Sequence, residues 1–344
     1  MFKKFRLFVP IALLVFVVGA ISVMLVGMSE KTALAKEKKY RFGVSLGWSV
    51  NDYGAAWKDE IEENLLKKFP GCKIYWADAQ YSPVTQASQI DNFIGLKVDA
   101  IFILPAVTLP LEPVVNKAAK LKVPVFVGSS YIHGAKPLST SVQNDFGMGE
   151  VTGKFICDAL KGKGKIGAIN LGGSRSWWTR SLGLYHVLEL YPDIELVAEY
   201  KYIPGAVGAL TPKQVAKNML TAHRDLDAMW CSWDGAAIAA ADCAKELGMD
   251  NLIVTGIDGF AQALDYLRSG TQIKCIMGQA PRGTVRLVVA SAYEYFHGRE
   301  CAELIVTPVY KFTKDRCPPS GLGAFGWDKL GFIKNHPELM KRVL

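Results

Sequence analysis

The sequence predicts an α/β fold of two Rossmann-like lobes with parallel sheets. Three observations predict it. From Tyr40 onward short apolar runs alternate with amphipathic stretches, the pattern of strand-helix-strand units. The alternation falls into two similar series in tandem, separated by a loop-like polar stretch over residues 143–148. About 300 residues follow the N-terminal segment, enough for two domains with substantial cores.

In the first series, strands are predicted over residues 41–46, 73–77, 100–104 and 123–128, each a short apolar run. Between them Ile61, Leu65, Leu66 and Phe69 mark one helical face, and Val114, Val115, Ala118 and Leu121 another. The second series reads as strand 166–171, helix 179–190, strand 195–202, helix 212–223, strand 228–232, helix 235–247, strand 252–257, helix 261–269 and strand 272–277. A helix over 284–295 and the apolar run 303–310 come too late to begin a third lobe, and are expected to return and complete the first. The lobes are therefore expected at 38–144 plus 280–306 and at 145–279 plus 307–344. The tail, 317–344, is rich in Gly, Pro and aromatic residues and is expected to pack along the outside.

The N-terminus has the layout of a secretory signal. Lys3, Lys4 and Arg6 precede an apolar run from Leu7 to about Val26, followed by Ala33-Leu34-Ala35. Cleavage after Ala35 would remove residues 1–35. The run approaches the ~20 residues that span a bilayer, so an uncleaved anchor is the alternative. Either way the bulk of the chain is expected outside the cytoplasm, in the periplasm. No Cys closely follows the run, so lipid modification there has no support.

A formal charge of +8 is modest for 344 residues and is partly gathered near the N-terminus. No module concentrates basic residues as nucleic-acid binding requires, so no nucleic-acid partner is expected. Seven cysteines cannot all pair within one chain. Cys157, Cys231, Cys243 and Cys275 fall in apolar segments and read as small core residues. Cys301 and Cys317 flank a strand-like stretch and are the best candidates for a disulfide. No His/Cys cluster has metal-ligand spacing, so no metal site and no cofactor are expected.

Catalytic frames are missing too. There is no G-x-S-x-G elbow, no P-loop and no H-E-x-x-H. Asp52, Asp78, Asp91, Asp234 and Asp258 stand in no recognisable acid/base arrangement, and Gly172-Gly173-Ser174 lacks the Lys of a phosphate cradle. An enzyme is not expected. A sugar-responsive repressor would carry a helix-turn-helix where this chain carries its leader-like segment.

Several positions taken together resemble the ribose-binding-protein family, the type I periplasmic binding proteins of sugar ABC transporters. The resemblance covers about residues 40 to 310. It rests on Val44-Ser45 followed by Asn51-Asp52-Tyr53, on Val123-Pro124-Val125 ending at Ser129-Ser130, and on Arg180-Ser181-Leu182-Gly183. Further on come residues 218–223, Trp233-Asp234, Thr255 to Gly259, and Gln279-Ala280-Pro281. It implies two lobes joined by a hinge with a ligand cleft between them, beyond the carboxyl ends of the strands. It also implies capture of a small neutral ligand, a monosaccharide, deoxy sugar or polyol, by hinge closure. The expected partner is the permease of an ABC importer, with the binding protein acting as a monomer. A periplasmic sensor presenting its closed form to a receptor or sensor kinase would use the same fold.

By the same resemblance Asp258 and Gln279 match positions that bond ring hydroxyls, Arg180 matches an arginine that forks to ligand oxygens, and Asn51 matches a hydrogen-bonding position of the first cleft loop. Tyr53, Trp48, Trp178 and Trp233 would supply rings for sugar faces. Other roles compete: Asp258 and Gln279 suit helix caps, and Arg180 suits a surface ion pair. Trp57 and Trp230 read as core residues, and Trp177 as an undecided neighbour at a helix start. Ser129 and Ser130 stand where ribose and galactose binders of the family carry Asp and Arg, and Trp233 stands where Asn is usual. The site is therefore expected to be roomier or less polar on one side.

Overall fold

The computed structural model describes residues 38–340 apart from 205 and 207. The leader or anchor expected over residues 1–35 lies outside the described residues. Two six-stranded sheets organise the rest. The first holds β1 (Arg41–Leu46), β2 (Lys73–Asp78), β3 (Ala100–Leu104), β4 (Val125–Ser129), β5 (Ser139–Gln143) and β11 (Leu304–Thr307), in the order β11-β5-β4-β3-β1-β2, all parallel. The second holds β6 (Gly164–Leu171), β7 (Ile194–Tyr202), β8 (Ala228–Cys231), β9 (Ile253–Asp258), β10 (Ile273–Gly278) and β12 (Tyr310–Phe312), in the order β12-β10-β9-β8-β6-β7. Only β12 runs antiparallel.

Helices cover both faces of each sheet, which is why the central strands are apolar throughout rather than alternating. On β3, Phe102 faces one side with Phe42, Phe126 and α1 (Asp52–Lys68), while Ile101 and Ile103 face the other with α2 (Pro83–Gly95) and α3 (Glu112–Lys120). Trp57 of α1 lies flush on β4, because Gly128 has no side chain there: a Cβ would meet the indole Nε1 at 2.9 Å. Trp57 and Trp230 are both fully buried core residues. The second sheet carries α4 (Asp145–Ala159), α5 (Arg175–Leu190), α6 (Pro212–Ala222), α7 (Asp234–Glu246) and α8 (Ala261–Ser269). After β10, α9 (Pro281–Phe296) packs on α1 and the chain rejoins the first sheet through β11. The chain thus passes between the sheets three times, after β5, β10 and β11.

Several expectations need correcting. Residues 143–148 are not a loop: Asn144 caps α4 through a 2.9 Å bond from Gly147 N, and the helix starts at Asp145. The strand before it, β5, has the polar sequence STSVQ and carries no apolar signal, yet it is paired on both sides. The run 303–310 does not stay in one lobe; Thr307 ends β11 in the first sheet and Tyr310 opens β12 in the second. Cys301 and Cys317 form no disulfide and both are free. That crossing separates them: Cys301 precedes β11, while Cys317 lies against α8, with its Sγ 3.7 Å from Leu264 O. The tail does not merely coat the surface. Phe325 and Trp327 are buried to 0% and 1% exposure, and Asp328 accepts from the N–H groups of Arg282 and Gly283 at the start of α9. A short helix, α10 (Leu330–Asn335), follows.

Candidate functional site

A cavity of about 250 Å³ opens between the carboxyl ends of the two sheets. The loop after β1 supplies its first residues. Asn51 caps α1, its Oδ1 accepting from Gly54 N and from Trp48 Nε1, each at 3.0 Å, and its Nδ2 donating to Tyr81 OH at 3.2 Å. That bonding holds the Trp48 indole stacked on Tyr81, with centroids 5.3 Å apart and planes 5° from parallel. Tyr53, the second residue of α1, donates its hydroxyl to Ser129 Oγ at 2.6 Å and accepts from Gln143 Nε2 at 2.8 Å. Burial pushes its phenol far above the ordinary value, so it stays neutral. Ser129 ends β4 with φ at +76°, a backbone conformation rare for a residue with a Cβ. Its neighbour Ser130 accepts from Ser176 Oγ at 3.1 Å, and Trp48 meets Trp177 with centroids 6.3 Å apart. Ser176 and Trp177 belong to α5, so these contacts join the two walls.

The opposite wall is built around Arg180, which is 2% exposed. Its position follows from two glycines. A Cβ on Gly149 would lie 1.8 Å from Arg180 O, and one on Gly183 would lie 2.1 Å from Phe146 O. With neither present, α4 and α5 pack backbone against backbone and bring Asp145 beside the guanidinium. Arg180 donates from Nε to Asp145 Oδ1 (2.8 Å), from Nη1 to Ser232 O (2.8 Å) and Asp258 Oδ1 (3.1 Å), and from Nη2 to Gln279 Oε1 (3.1 Å). Gln279 Nε2 returns a bond to Asp258 Oδ1 at 2.5 Å. The two side chains expected as possible caps do other work. The cap position of α8 belongs to Phe260 and that of α9 to Ala280, neither with a side-chain bond.

Asp258 has φ at +141° at the end of β9, a second strained residue facing the first across the cavity. Asp234 holds the turn that imposes it, its Oδ2 accepting from Gly259 N and Phe260 N, both at 2.7 Å. Burial pushes the Asp145 carboxyl up to about 6, with Arg180 pulling the other way. Asp258 is raised for the same reason and opposed by the same cation. Burial works against the Arg180 charge as well, but Asp145 and Asp258 outweigh it and its value rises. Asp234, behind them, is driven well up by burial and by the charge of Asp258.

Trp48, Asn51, Tyr53, Ser129, Ser130, Arg180, Trp233, Asp258 and Gln279 all line this one cavity. Trp178 does not. It is 36% exposed and lines a separate groove under Lys201, whose Nζ lies 4.8 Å from the ring centroid. One residue along a helix is a turn of about 100°, so Trp177 takes the inward position instead. Trp233 is stacked on Tyr202, with centroids 5.2 Å apart. Tyr81, Tyr202 and Phe260 also line the cavity without having been singled out in the sequence. Tyr81 and Tyr202 lie just past or at the ends of β2 and β7, so the expectation of a cleft beyond the strand ends could have found them. Asp145 had no such signal, because its helix was not foreseen. No group of His, Cys, Asp and Glu among the described residues is arranged to hold a metal ion.

Behind the cavity stands Phe325 of the tail, in a left-handed conformation (φ +48°). It meets Tyr53 edge to face at 5.8 Å and Phe260 at 5.6 Å, one ring from each wall. Trp327 anchors this segment by donating from Nε1 to Gly259 O at 2.9 Å.

The chain is similar to a ribose import binding protein of Bacillus subtilis, 24% identical over 274 residues, covering 79% of this chain and 87% of that one. It is 27% identical over 273 residues to a xylitol-binding protein of Mycolicibacterium smegmatis, covering 78% and 75%. Among solved structures, an ABC transporter solute-binding protein of Bacillus halodurans with bound myo-inositol shares the fold, with a TM-score of 0.74 at 20% identity, covering 82% of this chain and 97% of that one. A family model described as a periplasmic binding protein domain matches residues 42–300. The chain belongs to that family of periplasmic binding proteins, and is a solute-binding protein rather than an enzyme.

Proposed function

We propose that this protein captures a small polyhydroxylated molecule, a sugar or polyol, in the cavity between its sheets and delivers it to the permease of an ABC importer outside the cytoplasm, acting as a monomer. One observation carries the reading: a single cavity is walled by flat rings and by planar polar side chains drawn from both sheets. Rings suit the C–H faces of a sugar, and amide, carboxylate and guanidinium edges suit its hydroxyls. The contacts from Ser130 to Ser176 and from Trp48 to Trp177 give the walls a way to close on what lies between them. The similar proteins described above, one importing ribose, one binding xylitol and one holding myo-inositol, support the same ligand class.

Titration calorimetry against pentoses, hexoses, pentitols and cyclitols tests it, with small-angle scattering recorded with and without the best ligand. Saturable binding with a decrease in the radius of gyration is expected. Failure of every sugar and polyol to bind would overturn the reading.

A further inference from the structure

The polar groups of the cavity are unequally matched in charge. Asp145 and Asp258 bring two carboxylates, Arg180 is the lone guanidinium lining the cavity, and no lysine lines it. Arg180 is largely committed. Of its five N–H groups, Nε–H goes to Asp145, both on Nη1 go to Ser232 O and Asp258, and one on Nη2 goes to Gln279. A single N–H is left to offer a ligand. Asp145 uses only Oδ1 in its bond to Arg180, and its other oxygen remains for the cavity it lines.

On the first wall the hydroxyls and amides are neutral and bond one another. With both carboxylates ionised the cavity carries one negative charge in excess. Closing such a site over a neutral molecule buries a carboxylate without a full counter-charge, which is costly. The rings around it, Trp48, Trp177, Tyr202 and Trp233, present electron-rich faces that favour a cation.

We propose that the preferred ligand carries an ammonium group beside its hydroxyls, an aminated sugar or aminated polyol, with the ammonium held by Asp145 and the rings. This rests on the reading given under Proposed function and sharpens its ligand class.

Calorimetry on the full chain tests it with matched sets: D-glucosamine beside D-glucose and N-acetyl-D-glucosamine, D-galactosamine beside D-galactose, and an aminodeoxyinositol beside myo-inositol. In at least one set the aminated member is expected to bind about tenfold or more tighter than its hydroxyl parent. N-acetylation, which removes the charge, should abolish that advantage. Asp145→Asn, checked for folding by circular dichroism, should weaken binding of the aminated member by a larger factor than binding of its parent, so that the ratio between them falls toward one. If the variant does not fold, the N-acetyl comparison on the unaltered protein decides. Parents that bind as tightly as or tighter than their aminated counterparts would overturn the inference and leave the sugar or polyol reading standing. Absence of binding by every member of every set would overturn the inference, and extended to the pentoses and pentitols of the series above it would overturn both.

Discussion

On the wall carried by the first sheet, Tyr53, Ser129 and Gln143 satisfy one another as neutral groups. On the wall carried by the second, Arg180 is held between the carboxylates of Asp145 and Asp258. The two sheets share their strand order and the same rule for placing a site beyond strand ends. What differs is the helix packing behind the strand ends. Gly149 and Gly183 let α4 and α5 meet closely enough to bury a charged group with its partners, whereas Gly47 and Gly54 at the cavity edge of the first sheet make their close approaches to loop backbone, at Ala106 N and Trp48 O, rather than to a second helix. Shape is supplied by both walls and charge by one.

The contrast can be broken most severely at Arg180. Arg180→Ala leaves two buried carboxylates without their cation, and should cost about 3–5 kcal/mol in urea unfolding and abolish ligand binding. Unfolding at the wild-type urea concentration would mean that the charged wall contributes no more than the neutral one.

A second test uses acid. Burial raises the folded value of Asp145 to about 6, above its ordinary carboxyl value, so the native state holds the proton more tightly than the unfolded chain. The stability this group contributes is complete below the ordinary value near 4 and is lost as the pH rises through about 6. The stability of the wild type relative to Asp145→Asn should therefore fall between pH 4 and pH 7 by up to roughly 3 kcal/mol and then level off. A difference that stays flat, or that grows with pH, would show Arg180 overcoming burial at that site.

The smallest effect is expected on the neutral wall. Tyr53→Phe removes the hydroxyl that Ser129 and Gln143 both use, and should cost about 1–2 kcal/mol with no pH dependence between 5 and 8. A loss as large as that of Arg180→Ala would erase the distinction.

Much of this was legible in the sequence, for physical reasons. Strands such as β3 and β9 are buried on both faces and so appear as uninterrupted apolar runs. Asn51, Arg180, Asp258 and Gln279 were found through the resemblance to the ribose-binding family, whose ligand cleft lies beyond the carboxyl ends of its strands. Four things stayed hidden. β5 is buried by its neighbours rather than by its own composition, and its polar residues imitate a loop. Asp145 acquires its role only when α4 meets α5, a contact created by Gly149, one turn along its own helix, and by Gly183, far away in the chain on the other. The choice between Trp177 and Trp178 is a matter of helix phase, and it turned on α5 beginning at Arg175 rather than at 179. The tail was hidden for a similar reason: Phe325 and Trp327 find their places only after β12 has carried the chain back to the second sheet.

Phe325 has a mechanical meaning. Its ring rests on Tyr53 and on Phe260 at once, so a movement that draws the walls apart must leave it attached to one and strip it from the other. In the closure proposed above, each opening would give up an edge-to-face aromatic contact of about 0.5–1.5 kcal/mol. The C-terminal segment, remote in sequence from most cavity residues, would thereby weight the proposed equilibrium toward the shut arrangement.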